Sequence, residues 1–272
     1  MQISRFCRLA AAAAGLLLAA ACVGPPPPPP PPMNCCEVPW NYAEQADWAT
    51  LSPCYFDCGW NREKPPGGEQ SPIDFVNPRQ QSLPAVDFSA YGKVPGLKSR
   101  NDGHTVRIDL PKGAASLRLD GMTYELLQFH FHQPSEHKIR GNARAMEIHF
   151  VNASEGGRVV AVGVFIKNGT SNAELAKIWK DLPKKKGDVV DVGEINLGAL
   201  LPPRDRTSFR YAGSLTNPPC NQGFQWIFYH DAIDLSADDV QKFAAIFPGP
   251  DGNSRRVQPL NGRVVLTDVP RP

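Results

Sequence analysis

QFHFHQPSEHKIRGNARAMEIHF, residues 128–150, carries four of the six histidines in the chain, and its reading decides the fold. Residues 124–132 are largely apolar and aromatic without a helical period, and Gly121 and Pro134 bound them, so they predict a β-strand. Side chains on a strand alternate between faces, which places Gln128, His130 and His132 on one side and Phe129 and Phe131 on the other. The aromatics can then pack into a core while two imidazoles converge on the opposite face.

A second strand is predicted over residues 145–152, after a loop containing Gly141, and the same alternation puts Glu147, His149 and Val151 on one face. Antiparallel pairing through the loop brings a third imidazole to the first two. Three histidines are a donor set that leaves tetrahedral zinc one open position for water. Histidines that bind metal need an acceptor on the other ring nitrogen to fix the tautomer. Gln128 precedes His130 by two residues and Glu147 precedes His149 by two, each on its histidine's face. A lone histidine on a strand is more often a hydrogen-bonded core residue than a ligand, and His137 and His230 are read as structural. The HxH spacing alone is only moderately specific, but a third histidine on the same face with polar partners at the same parity points to a Zn2+ site.

Outward from this segment, the N-terminus has Arg5 and Arg8 before an apolar, alanine-rich stretch, the pattern of an export signal over residues 1–21, too short for a membrane span. Small residues before Cys22 suggest lipoprotein processing, with Cys22 lipidated as the first mature residue. Ordinary signal-peptidase cleavage near Ala21 is the competing reading, favoured by alanine at position 19, where lipoproteins usually carry leucine. An unbroken proline run at 25–32 stays extended as polyproline II, which makes residues 22–34 a tether. Residues 35–272 have an ordinary globular composition without repeats and are expected to form one domain.

At 42% hydrophobic residues the chain has ample material for a core, and a net charge of +2 gives no case for nucleic acid. Lys184, Lys185 and Lys186 read as a solvated loop. Of seven cysteines, Cys7 leaves with the signal and Cys22 is the lipid candidate, which leaves Cys35, Cys36, Cys54, Cys58 and Cys220. Disulfides are expected in an exported, oxidising compartment, and an odd number leaves at least one thiol free or paired between chains. Counting does not settle the connectivity.

Short strands dominate the rest, at 105–110, 116–119, 159–167, 208–212 and 223–230. Helices are few. Residues 171–182 show a capping box of Ser171 and Glu174, an apolar face and Pro183 as a stop, and 236–247 repeat the pattern from Ser236. The fold class is mainly β with peripheral short helices.

Several segments match one family: GEQSPIDF at 68–75, NDGHTVRIDL at 101–110, QFHFHQPSEH at 128–137, EIHFVN at 147–152, VGVFIK at 162–167, YAGSLTNPPC at 211–220, Gln225 with Trp226, and QPLNGR at 258–263. On these the chain resembles the alpha-class carbonic anhydrases, across nearly the whole exported domain. The resemblance implies a large central, mostly antiparallel twisted sheet with zinc at the foot of a conical cleft. The implied reaction is reversible hydration of carbon dioxide to bicarbonate and a proton by zinc-bound hydroxide. Carried over by residue, the ligands are His130, His132 and His149, in agreement with the strand parity, which itself places Gln128 and Glu147 to be the partners of His130 and His149. Thr216 is the gatekeeper, Glu136 its partner and His104 the proton shuttle. Val151, Val159, Ala161, Leu215, Thr216, Asn217 and Trp226 border the substrate. Bacterial relatives with a cysteine at the position of Cys220 pair it with one shortly before QSPI, which implies a disulfide from Cys58. Asn217 stands where many relatives carry a second threonine, which bears on inhibitor and ester preference. WNYAEQADW at 40–48 is shorter than the usual aromatic N-terminal segment, and the resemblance implies no role for Cys35, Cys36 and Cys54.

Two other classes share part of this pattern. A cupin-type metal enzyme shares the HxHxxxE spacing of His130, His132 and Glu136 but lacks the flanking glycines and the second motif. A non-catalytic zinc-binding or adhesion module on the same fold typically loses a zinc histidine, and here all three persist with Thr216 and Glu136. The expected location is the periplasm or cell envelope, with membrane contact only through an N-terminal lipid and with a homodimer allowed.

Overall fold

The computed structural model describes residues 38–59, 68–203 and 207–268. The described residues fall within one compact unit of the chain, Asn34–Pro272. The signal and tether readings, Cys22, Cys35 and Cys36 lie outside the described residues.

Fourteen strands and three short α-helices are described. In chain order they are α1 (Trp48–Leu51), β1 (Asp74–Phe75), β2 (Arg79–Gln80), β3 (Lys93–Asn101), β4 (Val106–Asp109), β5 (Ser116–Leu119), β6 (Met122–His132), β7 (Lys138–Ile139), β8 (Asn142–Ala143), β9 (Met146–Ala153), β10 (Val159–Asn168), α2 (Ala173–Trp179), β11 (Val189–Asn196), β12 (Ser208–Ser214), β13 (Gln222–Leu235), α3 (Ala237–Ala244) and β14 (Leu266–Thr267). One 11-stranded sheet runs β11-β3-β4-β6-β9-β10-β13-β12-β14-β2, with β5 added on β6. Most pairings are antiparallel as expected, but β10 lies parallel to β13 near the centre and β14 parallel to β2, so the sheet is mixed.

The two faces of the sheet have different duties. Phe129, Phe131, Ile148, Phe150, Val160 and Val162 sink into the larger core, which α2 and α3 close with Leu175, Ile178, Trp179, Val240 and Phe243. Phe131 sits edge-on to Trp179 with centroids 4.8 Å apart. On the other face Ile73, Phe75, Phe165, Phe209, Tyr211, Trp226 and Phe228 form a second core, under the site. Burying two faces of a wide sheet is what lets the histidine face be rigid, because each ligand's neighbours along the strand are locked in a packed interior.

The helix at 236–247 starts as read: Ser236 caps α3, its hydroxyl accepting from Asp239 N–H at 3.1 Å. The other helix does not. Asn172, not Ser171, caps α2, accepting from Glu174 N–H and Leu175 N–H, and the helix ends at Trp179 rather than residue 182. An Asn side chain is as good a cap as Ser, so Ser171 is released to bridge the helices: it donates to Asp239 and accepts from Ser236 N–H.

Candidate metal centre

The register of β6 on β9 pairs His130 with His149 directly and His132 with Glu147, which confirms the shared face. Ring centroids of the three histidines stand 4.6–5.1 Å apart, and one nitrogen from each lies within 4.8 Å of the others. Their remaining nitrogens are all engaged. Gln128 Oε1 is 2.8 Å from His130 Nδ1, Glu147 Oε1 is 2.6 Å from His149 Nε2, and the Asn253 carbonyl is 2.8 Å from His132 Nδ1. Each partner is an acceptor, so the ring nitrogen facing it carries the proton and donates, which leaves His130 Nε2, His132 Nε2 and His149 Nδ1 as lone-pair donors.

These residues fit a zinc ion. His132 Nε2 is buried and has no hydrogen-bond partner among the described residues, which is costly unless something electrophilic takes its lone pair. Burial, with the neighbouring imidazoles, holds His130 well below the usual histidine range and His132 down to about 3, so both stay neutral as ligands must.

Glu147 and His149 also group with His137. This is a hydrogen-bonded chain rather than a second metal site, because its members already satisfy one another. His137 N–H donates to Glu147 Oε2 at 3.1 Å, and its Nδ1 lies 3.2 Å from Oε1. A carboxylate only accepts, which assigns the His137 proton to Nδ1 and makes its Nε2 the acceptor for Tyr211 Oη at 2.6 Å. Burial works against charge on Glu147, yet His137 and His149 hold its carboxyl far below the usual carboxylate range. His137 is thus a structural residue with a post next to the ligands.

Glu136 is buried beside this set and accepts from Arg255 N–H at 2.8 Å. Burial and the Glu147 charge push its carboxyl up, while the Arg255 N–H and the Thr216 hydroxyl oppose them. Thr216 therefore lies against Glu136 as expected, although Glu136 Oε2 has no partner of strict hydrogen-bonding geometry. Its loop is pinned by the Cys58–Cys220 disulfide, with Cα atoms 5.1 Å apart. Cys54 is likewise disulfide-bonded.

The apolar positions fall in one row of the sheet. Val151 pairs with Gln128 on one side and Ala161 on the other, and Ala161 pairs with Trp226. This row is one step along the same face from the His130–His149 row. Trp226 comes within 4.7 Å of the His149 ring, centroid to centroid, and its indole N–H donates to the Ser214 carbonyl, which fixes it against the loop of Leu215, Thr216 and Asn217. Val159 is two residues from Ala161 on the same strand and is half-buried.

His104 is half-buried at the turn between β3 and β4. Its backbone N–H donates to Asp102 Oδ1, and its ring stacks on Trp40 at 3.7 Å and 8°. Burial lowers its pKa, with Asp102 opposing and Lys186 adding to the shift. Sequence reasoning missed Asn253, which holds His132 through its carbonyl and donates from Nδ2 to the carbonyls of His104 and Phe131. It also missed Arg255, Tyr211 and Trp40 as parts of the site. Asn253 and Arg255 sit in DGNSRR, which has no period to betray a face; only the proximity of that stretch to QPLNGR pointed there.

The family profile described as eukaryotic-type carbonic anhydrase matches residues 48–269. The chain is 34% identical over 230 residues to a carbonic anhydrase of Neisseria gonorrhoeae, covering 84% of this chain and 87% of that protein. It is 35% identical over 232 residues to one of Klebsiella pneumoniae, covering 84% and 90%. A solved structure of the alpha-carbonic anhydrase of Thermovibrio ammonificans with the inhibitor sulfanilamide matches with a TM-score of 0.76 and 34% identity over 84% of this chain and 99% of that one. With the profile spanning most of the described residues and relatives this similar, the chain belongs to the eukaryotic-type, or alpha, carbonic anhydrases.

Proposed function

We propose that this chain is a zinc enzyme that hydrates carbon dioxide reversibly to bicarbonate and a proton, with His130, His132 and His149 as the ligands. The observation that carries the reading is the set of three inward nitrogens, each backed by an acceptor, with His132 Nε2 buried and unpartnered. Zinc bound there would supply a Lewis acid that makes water acidic near neutral pH. Gln128, Glu147 and the Asn253 carbonyl fix the ring orientations. Thr216 Oγ1 accepts a hydrogen bond from the attacking oxygen and passes its own proton toward Glu136, which leaves a lone pair aimed at the carbon of the substrate. Val151, Val159, Ala161, Leu215 and Trp226 give a neutral, apolar substrate a wall beside the ligands, and Asn217 closes the loop side. His104 takes the released proton and hands it to solution, since an imidazole titrates near neutrality and can serve in both directions.

Export to the periplasm or cell envelope, lipid attachment at Cys22 and the tether at 22–34 complete the proposal, supported by the signal-like N-terminus and the disulfide. No helix among the described residues is long and apolar enough to cross a membrane. The test is stopped-flow carbon dioxide hydration together with metal analysis. One zinc per chain and rapid hydration are expected, and His149→Ala should lose most of both while remaining folded by circular dichroism. Full zinc content and normal hydration in that variant refute the ligand set.

A further inference from the structure

Lys184, Lys185 and Lys186 are exposed, as a solvated loop should be, but the structure fastens their loop to the turn that carries His104. Asn101, buried at the end of β3, makes the connection. Its side-chain amide donates to the Pro183 carbonyl at 3.2 Å, its N–H donates to the Asp188 carbonyl, and its own carbonyl accepts from Gly187 N–H. The same side chain accepts from Gly103 N–H at 2.8 Å, one residue before His104. Contact across the join is close: a Cβ on Gly103, whose φ is +95°, would stand 2.8 Å from Lys186 Cδ. Glycine serves both needs there, a left-handed backbone and room for the lysine stem.

Among the described residues, three groups bear on the His104 ring. Trp40 covers one side of the ring, Asp102 sits on its own turn with Oδ1 already accepting from the N–H groups of His104 and Thr105, and Lys186, whose stem lies against Gly103, works against positive charge on the ring. Over residues 184–188 three lysines stand against Asp188 alone, whose carboxylate accepts from Lys185 N–H. A proton delivered to His104 must leave with an acceptor that arrives from solution. A patch of fixed positive charge raises the local concentration of anions and does nothing for neutral molecules.

We propose that Lys184, Lys185 and Lys186 form a docking site for anionic proton acceptors beside His104, so that a dianion such as hydrogen phosphate collects the proton in preference to a neutral base. In that step an N–H bond of the His104 imidazolium breaks, an O–H bond forms on the phosphate, and the products are neutral imidazole and the monoanion. The inference rests on His104 as the proton shuttle.

The experiment measures kcat of the zinc-loaded chain at low ionic strength against rising phosphate and, separately, rising imidazole. Replacing the three lysines together (Lys184→Gln, Lys185→Gln, Lys186→Gln) should weaken the phosphate dependence by about threefold to tenfold and leave the imidazole dependence unchanged. Lys186→Glu should lower it as a single change, Lys186→Arg should retain it, and salt near 0.1 M should shrink the difference, since screening acts over about 10 Å at that strength. A readout free of turnover accompanies this: phosphate should shift the backbone amide resonances of Gly103 and His104 in the parent chain and not in the triple variant. Equal loss in both buffers, or no loss with unmoved resonances, overturns the docking site. Unchanged kcat at low buffer in His104→Ala identifies the shuttle assignment itself as the part that fails.

Discussion

A carboxylate buried as fully as Glu147 stays ionised only where neighbours hold the charge, and here two histidines do so, both through Oε1. The consequence falls on the metal: an anionic acceptor on His149 Nε2 makes the other nitrogen a stronger donor. Glu147→Gln keeps the shape but removes the charge, so zinc affinity should drop about 10–100-fold in competition with a chelator. Unchanged affinity would mean that the bond merely orients the ring. The His104 ring stacks on Trp40 and not on a ligand, so His104→Ala should lower kcat more than kcat/KM, with partial rescue by added imidazole; a kcat that is unchanged at low buffer would assign proton export to another route. Strand parity in the sequence was enough to find Gln128 and Glu147, because both share their histidine's strand. It could not find Asn253, whose contribution is a backbone carbonyl that comes from 121 residues away.

The strands carry the site because the sheet registers them, and the closest approach in that register is at Gly163 on β10, which pairs with both His149 and Phe228. A Cβ at Gly163 would stand 2.1 Å from the Phe228 ring, which packs against His137 at 4.5 Å between centroids. Gly163→Ala must push that ring, so it should cost about 1–3 kcal/mol in urea unfolding and weaken zinc retention, while an unaltered midpoint would show the ring free to move aside. Periodicity in the sequence located β6, β9, β10, β12 and β13 and helix α3, since their apolar alternation or capping is local. The parallel β10–β13 pairing and the cap of α2 were not legible: the first depends on a crossover through distant strands, and the second on which of two adjacent polar side chains the other helix claims.

At the scale of the whole molecule, the Thr216 loop is held by residues from every third of the chain. Cys58 and Cys220 are 162 residues apart, and their bond lies in an aromatic cluster with Tyr42, Trp48 and Tyr55. No spacing rule could have paired them; the resemblance to relatives did, by the position of Cys58 ahead of QSPI. Arg255 joins this bond to the site. Its guanidinium donates to the Cys58 carbonyl and to Gln70, whose amide donates to the Cys220 carbonyl, while its backbone N–H reaches Glu136. Loosening the disulfide should therefore disturb Glu136 and Thr216 as well as release a long loop. Chain entropy for so long a loop gives up to about 5 kcal/mol, and measured values are more often about 2–4. Cys220→Ser should lower the melting temperature and, through the Arg255 connection, kcat for hydration as well, with non-reducing peptide mapping of the parent chain showing Cys58 joined to Cys220. A variant that loses stability but keeps full kcat at a temperature where it is folded would show that Arg255 and Gln70 hold the loop without the bridge.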